Sequence, residues 1–120
     1  MTFPVEVVLK GRDFAVTESV SVPSADPSTW DDEAVRAVLV ETLRALDRVQ
    51  NPTTWQHRSV VLQGFSWIVE PVEGGVVIAI EIPAGAVVAG PFAIAQTDLD
   101  AMVGRVLRAE RAATVRTTVH

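Results

Sequence analysis

The sequence predicts a two-layer α+β domain, an antiparallel sheet of four to five strands with two helices on one face, in the order ββαββα(β). Three observations carry this expectation. Apolar and polar residues alternate over 4–10 and 12–22 and again over 59–69, the period of strands with one buried face. Apolar residues recur at helical spacing in two further stretches, each opened by acidic residues that suit a helix N-terminus. Short turn signals join the strands, which favours hairpins over parallel crossovers.

In the first strand Val5, Val7 and Leu9 alternate with Glu6, Val8 and Lys10. In the second, Phe14, Val16, Val20 and Val22 form the apolar set. The inward parity changes from odd to even across Gly11, which predicts a hairpin at Lys10-Gly11-Arg12-Asp13, with a bulge as the alternative. Residues 23–28 have the Pro, Ser and Asp composition of a linker. Thr29 is the expected N-cap of the first helix, with Asp31, Asp32 and Glu33 in its first turn. Val35, Val38, Leu39, Thr42, Leu46 and Val49 make its apolar stripe, and Asn51-Pro52 ends it. Asp32–Arg36 and Glu41–Arg44 are spaced to pair along the exposed side.

The strand over 59–69 changes parity at Gly64, from Val60 and Leu62 to Phe65, Trp67 and Val69. Glu73-Gly74-Gly75 reads as a hairpin turn into the most apolar strand, 76–82, which Pro83 closes. The charge-free stretch 84–95 reads as an extra strand, a dimer contact or the lip of a pocket. A second helix is expected from an N-cap at Thr97, burying Leu99, Met102, Val103, Val106 and Leu107. Residues 114–119 are β-prone and stand as an edge strand or a frayed end.

A length of 120 residues implies one domain, 1–120. Two half-repeats, 3–50 and 58–112, suggest a duplicated ββα unit. Residues 7–16 and 60–69 agree at five of ten positions, although two similar amphipathic segments produce such likeness without duplication. A sheet with helices on one face leaves the other face to explain. Val8, Val61, Val77 and Ala79 are expected there, too apolar for a solvated surface.

Composition narrows the function. With no cysteine there is no disulfide framework, thiolate metal site or cysteine nucleophile. The longest apolar run, 76–80, is too short for a membrane span, and the first residues lack the basic and apolar regions of a signal peptide. The chain is therefore expected in the cytoplasm, and its Lys-poor, Arg-, Val- and Ala-rich composition suits a bacterium-like host. The net charge of −5 makes nucleic acid an unfavourable partner, although residues 105–120 are basic. No nucleophile elbow, phosphate loop or metal-ligand spacing occurs, so no cofactor and no metal are expected.

The leading expectation is a non-catalytic interaction or assembly module, self-associating as a homodimer or binding another protein. Its expected contact surface is Val87, Val88, Phe92 and Ile94 with the loop residues Trp30 and Trp55. An arginine band, Arg105, Arg108 and Arg111, would grip an acidic partner. The alternative is a small-molecule-binding or lyase/isomerase-type domain. Its pocket would lie between the halves, with Glu18, Glu81 or His57 as the polar group. The ordinary readings are a bulge at Glu18, a solvent-facing or Arg-paired Glu81 and a surface His57.

Overall fold

A computed structural model of the chain describes the backbone of residues 1–118 and the side chains of residues 1–113. The strands are β1 (Thr2–Leu9), β2 (Val16–Ser21), β3 (Ser66–Val72), β4 (Gly75–Ile82) and β5 (Gly85–Phe92). The helices are α1 (Asp32–Gln50) and α2 (Gln96–Thr118). The sheet is antiparallel throughout, in the order β2-β1-β5-β4-β3. The α+β expectation holds, but the element order is ββαβββα. The fifth strand comes from 85–92, not from the tail, and it lies in the middle of the sheet. The backbone of residues 114–118 continues α2, while Val119 and His120 lie outside the described residues.

Three hairpins and one long-range pairing build the sheet. The β1–β2 turn falls where the parity changes, with Gly11 at positive φ and Arg12 N–H donating to Leu9 O at 3.1 Å. The β3–β4 turn is the expected one, Val72 facing Gly75, with Gly74 at φ +91° where a side chain is disfavoured. Pro83 and Ala84 turn β4 into β5. β5 then pairs with β1, Leu9 against Gly85 and Val5 against Ala89. Gly85 permits this closeness, because a Cβ there would collide with the Val8 carbonyl.

A bulge near the end of β5 sets Gly90 and Pro91 against Val77 alone. Side-chain parity flips across it. Val87 and Ala89 point to the helices, and so does Phe92 three residues on. Phe92 then meets Phe3 and Trp30 edge to face, each at a centroid distance of 5.0 Å. Both β1 and β2 deliver alternate residues to the same core, Phe3, Val5, Val7 and Leu9 from one and Val20 from the other.

The helix stripes bury Val35, Val38, Leu39, Thr42 and Leu46 from α1 and Leu99, Met102, Val103 and Val106 from α2 as expected, while Val49 and Leu107 are only half-buried. Their starts differ from expectation. Asp31, not Thr29, caps α1, its carboxylate accepting from Ala34 N–H at 2.9 Å. Thr29 ends a 3-10 turn, Pro27–Thr29, capped by Asp26. In α2 the first turn already closes on Ala95, whose carbonyl accepts from Leu99 N–H, ahead of Thr97. Asp32 and Arg36 do not pair with each other. Asp32 takes Arg105 at 2.8 Å and Arg36 takes Glu110 at 2.6 Å, so both reach across to α2 and clip the helices together. Glu41–Arg44 forms at 2.6 Å as spaced.

The strand expected over 59–69 is shorter. Residues 51–65 form an irregular loop broken by a 3-10 turn, Trp55–His57. The loop is pinned to the end of α1. Arg58 pairs with Asp47 at 3.1 Å, Asn51 Nδ2 donates to Asp47 Oδ1 at 2.7 Å, and Leu62 is buried. Residues 60–62 therefore have no strand to match 7–9 in β1, although their sequences agree.

Two stability outcomes follow. Phe92→Ala should cost about 3–5 kcal/mol in urea unfolding, because it empties the aromatic centre of the core. Thr42 Oγ1 is buried without a hydrogen-bond partner among the described residues, so Thr42→Val should raise stability by about 1 kcal/mol in the same assay. A third concerns pH. The hydrogen bonds from Arg105 hold the Asp32 carboxyl below its ordinary value. The pair therefore adds stability at pH above that ordinary value and loses it as the pH falls through the lowered one. Acid titration of Asp32→Asn should show a shallower loss of stability than the parent chain, and an identical acid limb would contradict this.

Candidate interaction face

Among the described residues two helices cover one side of the sheet and leave the other bare. The register assigns its rows. Glu6, Val88, Ala79 and Ile68 lie side by side across β1, β5, β4 and β3, and Val8, Ala86, Glu81 and Ser66 form the next row. Val77 and Glu70 pair in a third. Ile68 is 50% exposed, Val72 44% and Val8 42%, all large apolar side chains turned to solvent. Ala79 and Ala86 between them are small. The result is a trough with alanine on its floor and Ile68 on one wall. A cleft of about 220 Å³ lies along it, lined by Ser66, Ile68, Ala79, Glu81 and Ala86. A larger open groove of about 490 Å³ continues past Val8 to Lys10 and Arg12. The flanking carboxylates Glu6, Glu70 and Glu81 are exposed.

The expected contact residues separate into two groups. Val88 lies on the bare face. Val87 and Phe92 are fully buried beneath the helices, because strand alternation and the bulge turn them inward. Trp30, 7% exposed, closes the core beside Phe92, and Ile94 packs half-buried against it. Trp55 is half-buried in the 3-10 turn, its ring under the Arg48 guanidinium at 5.3 Å. Of the arginine band, Arg105 is occupied by Asp32, and Arg108 and Arg111 are exposed. Arg111 overhangs the end of the sheet near Glu81, Ile82 and Pro83.

The three polar residues expected in a pocket do not converge. Glu18 pairs in register with Val5, which puts it on the helix side, where Arg48 holds it at 2.8 Å. Glu81 pairs with Ala86 on the opposite face. His57 is exposed in the 3-10 turn beyond the end of α1. β2 carries no bulge at Glu18, contrary to its ordinary reading, and the pair with Arg48 accounts for the carboxylate there; Glu81 is exposed, in keeping with its ordinary reading. Among the described residues no group of three His, Cys, Asp or Glu is placed to hold a metal, and no helix is long and apolar enough to cross a membrane.

Val8, Val77 and Ala79 lie where parity put them. Val61 does not, because it belongs to the loop, where it is exposed. Ile68 went unnamed in the sequence, yet its signal was there: it is the even residue of a strand whose odd residues point inward.

Comparison with protein-family models, with curated proteins and with solved structures finds no match to this chain. Its function therefore rests on its own surface.

Glu18→Gln should lower stability by no more than about 1 kcal/mol, as loss of a half-exposed ion pair does. A gain in stability in thermal unfolding would instead mark Glu18 as a strained carboxylate.

Proposed function

We propose that the chain is a non-catalytic protein-interaction module whose bare sheet face receives an apolar segment flanked by cations. One observation carries this reading: the exposed Ile68 and Val8 stand on either side of an alanine-floored trough that Val88 also faces, bordered by Glu6, Glu70 and Glu81. A contiguous apolar patch rimmed by charge is characteristic of a binding surface. Its charge favours a basic partner over a second copy laid face to face, which would bring the same carboxylates together without neutralising them. The absence of cysteine suits work in a reducing cytoplasm.

The face also has a size. Five strands about 4.8 Å apart and six to eight residues long cover roughly 600 Å². Standard interfaces use about 800 Å² per partner, so one copy alone would bind weakly and reversibly.

The test uses two synthetic amphipathic helices, one of leucine and lysine, the other of leucine and glutamate. Fluorescence titration should show binding of the lysine peptide and none of the glutamate peptide. The Ile68→Thr/Val88→Thr variant keeps every charge, and its affinity should fall about tenfold, equivalent to about 1.4 kcal/mol. Unchanged affinity in that variant would overturn the reading, because it would show attraction to the acidic chain in general.

A further inference from the structure

The two edges of the sheet are built differently. At the β3 edge two of the outward backbone groups are taken out of play. The carbonyl of Val69 accepts from Gln96 Nε2 at 3.0 Å, and Pro71, two residues on and of the same outward parity, has no N–H to offer. Both devices discourage a further strand.

The β2 edge has neither. Met1 and Val22 exchange bonds, the N-terminal amine donating to Val22 O at 2.8 Å and Val22 N–H to Met1 O at 2.9 Å. Antiparallel alternation then makes Phe3–Val20, Val5–Glu18 and Val7–Val16 the hydrogen-bonded pairs. The backbone groups of Thr17, Ser19 and Ser21 therefore point away from β1. Among the described residues nothing bonds them. Their side chains are small and hydroxylated, with no charge, proline or bulge in the row.

We propose that β2 pairs with β2 of a second copy about a two-fold axis at Ser19. Thr17 of each copy then faces Ser21 of the other and Ser19 faces Ser19, each pair exchanging both of its N–H···O bonds. The register is self-complementary in charge as well. It sets Glu18 opposite Val20 of the second copy, whereas an axis at Glu18 would oppose two carboxylates. The flank of α1 above β2 is marked by Arg48, which reaches Glu18, and carries Arg44 and Glu41 one and two turns earlier. Both signs are present there, and a two-fold reverses their order. The product is one sheet of ten strands, double the five of a single copy. Both bare faces lie on its same side, with their troughs roughly 30 Å apart at about 4.8 Å per strand. Where that face takes the partner proposed above, the dimer is bivalent.

Light scattering after size exclusion tests this, from about 10 µM to about 1 mM, the range of a weak association. The chain should move from 12.9 kDa towards twice that mass. Thr17→Lys/Ser21→Lys should stay monomeric throughout, with unchanged circular dichroism, and Ile68→Thr/Val88→Thr should dimerise like the parent. Amide hydrogen exchange provides a reading that needs no variant. The amides of Thr17, Ser19 and Ser21 should slow at the higher concentration. A parent chain that stays monomeric overturns the proposal. So does a dimer that survives the lysine variant, or one that leaves those amides exchanging freely. Peptide binding by the sheet face is read separately, so failure of one proposal is distinguishable from failure of the other.

Discussion

Both helices pack on the same side of the five-stranded sheet, and most of this molecule follows from that arrangement. The inner side collects Phe3, Val5, Val7, Ile78, Ile80, Val87 and Phe92 under α1 and α2. Burial of this set is the main favourable term in folding, at about 25 cal/mol per Å² of apolar surface. The outer side receives whatever alternation sends there. A face that met only water would alternate polar residues with at most scattered apolar ones. Here Val8, Val88, Ala79 and Ile68 hold those positions, and the carboxylates stand around them. The apolar trough is therefore not a by-product of the core, since nothing in the inner packing requires Ile68 to be apolar.

The pairing of β5 with β1 ties the two halves of the chain into one sheet. It joins residues about eighty apart in sequence, and its geometry depends on small side chains. Gly85 brings the strands together at one end, Ala89 lies between Val5 and Ile78, and the bulge at the other end turns Phe92 onto Phe3 and Trp30. Seen along the chain, those same residues resemble a flexible connection. Small residues serve loops because they permit unusual backbone conformations, and they serve the middle of a sheet because strands must approach closely there. Local composition does not distinguish the two uses.

Ion pairs show the same dependence on distance. The i,i+4 spacing of Asp32 and Arg36 is a sound local signal, but α2 lies alongside and offers each a partner in better geometry. Glu41–Arg44 has no such competitor and pairs as spaced. Glu18 interrupts an apolar row in sequence, and Arg48, thirty residues away, explains it. The same arginine stacks on Trp55, so one side chain ties β2 to the long loop through α1.

Short-range physics is legible in the linear order of the residues. It set the α+β class, both helices and their buried stripes, the hairpins at Gly11 and at Glu73-Gly74-Gly75, and the apolar character of the second sheet face. Periodicity and turn chemistry are local properties, and each acts within a few residues. Only the tertiary structure decided that 85–92 is the central strand, that Val87 and Phe92 point inward while Val88 points out, and that Glu18 and Glu81 lie on opposite faces. It also decided which sheet edge is obstructed. These outcomes depend on strand order and register, which are settled by the packing of segments far apart in the chain, and no window of sequence contains both partners.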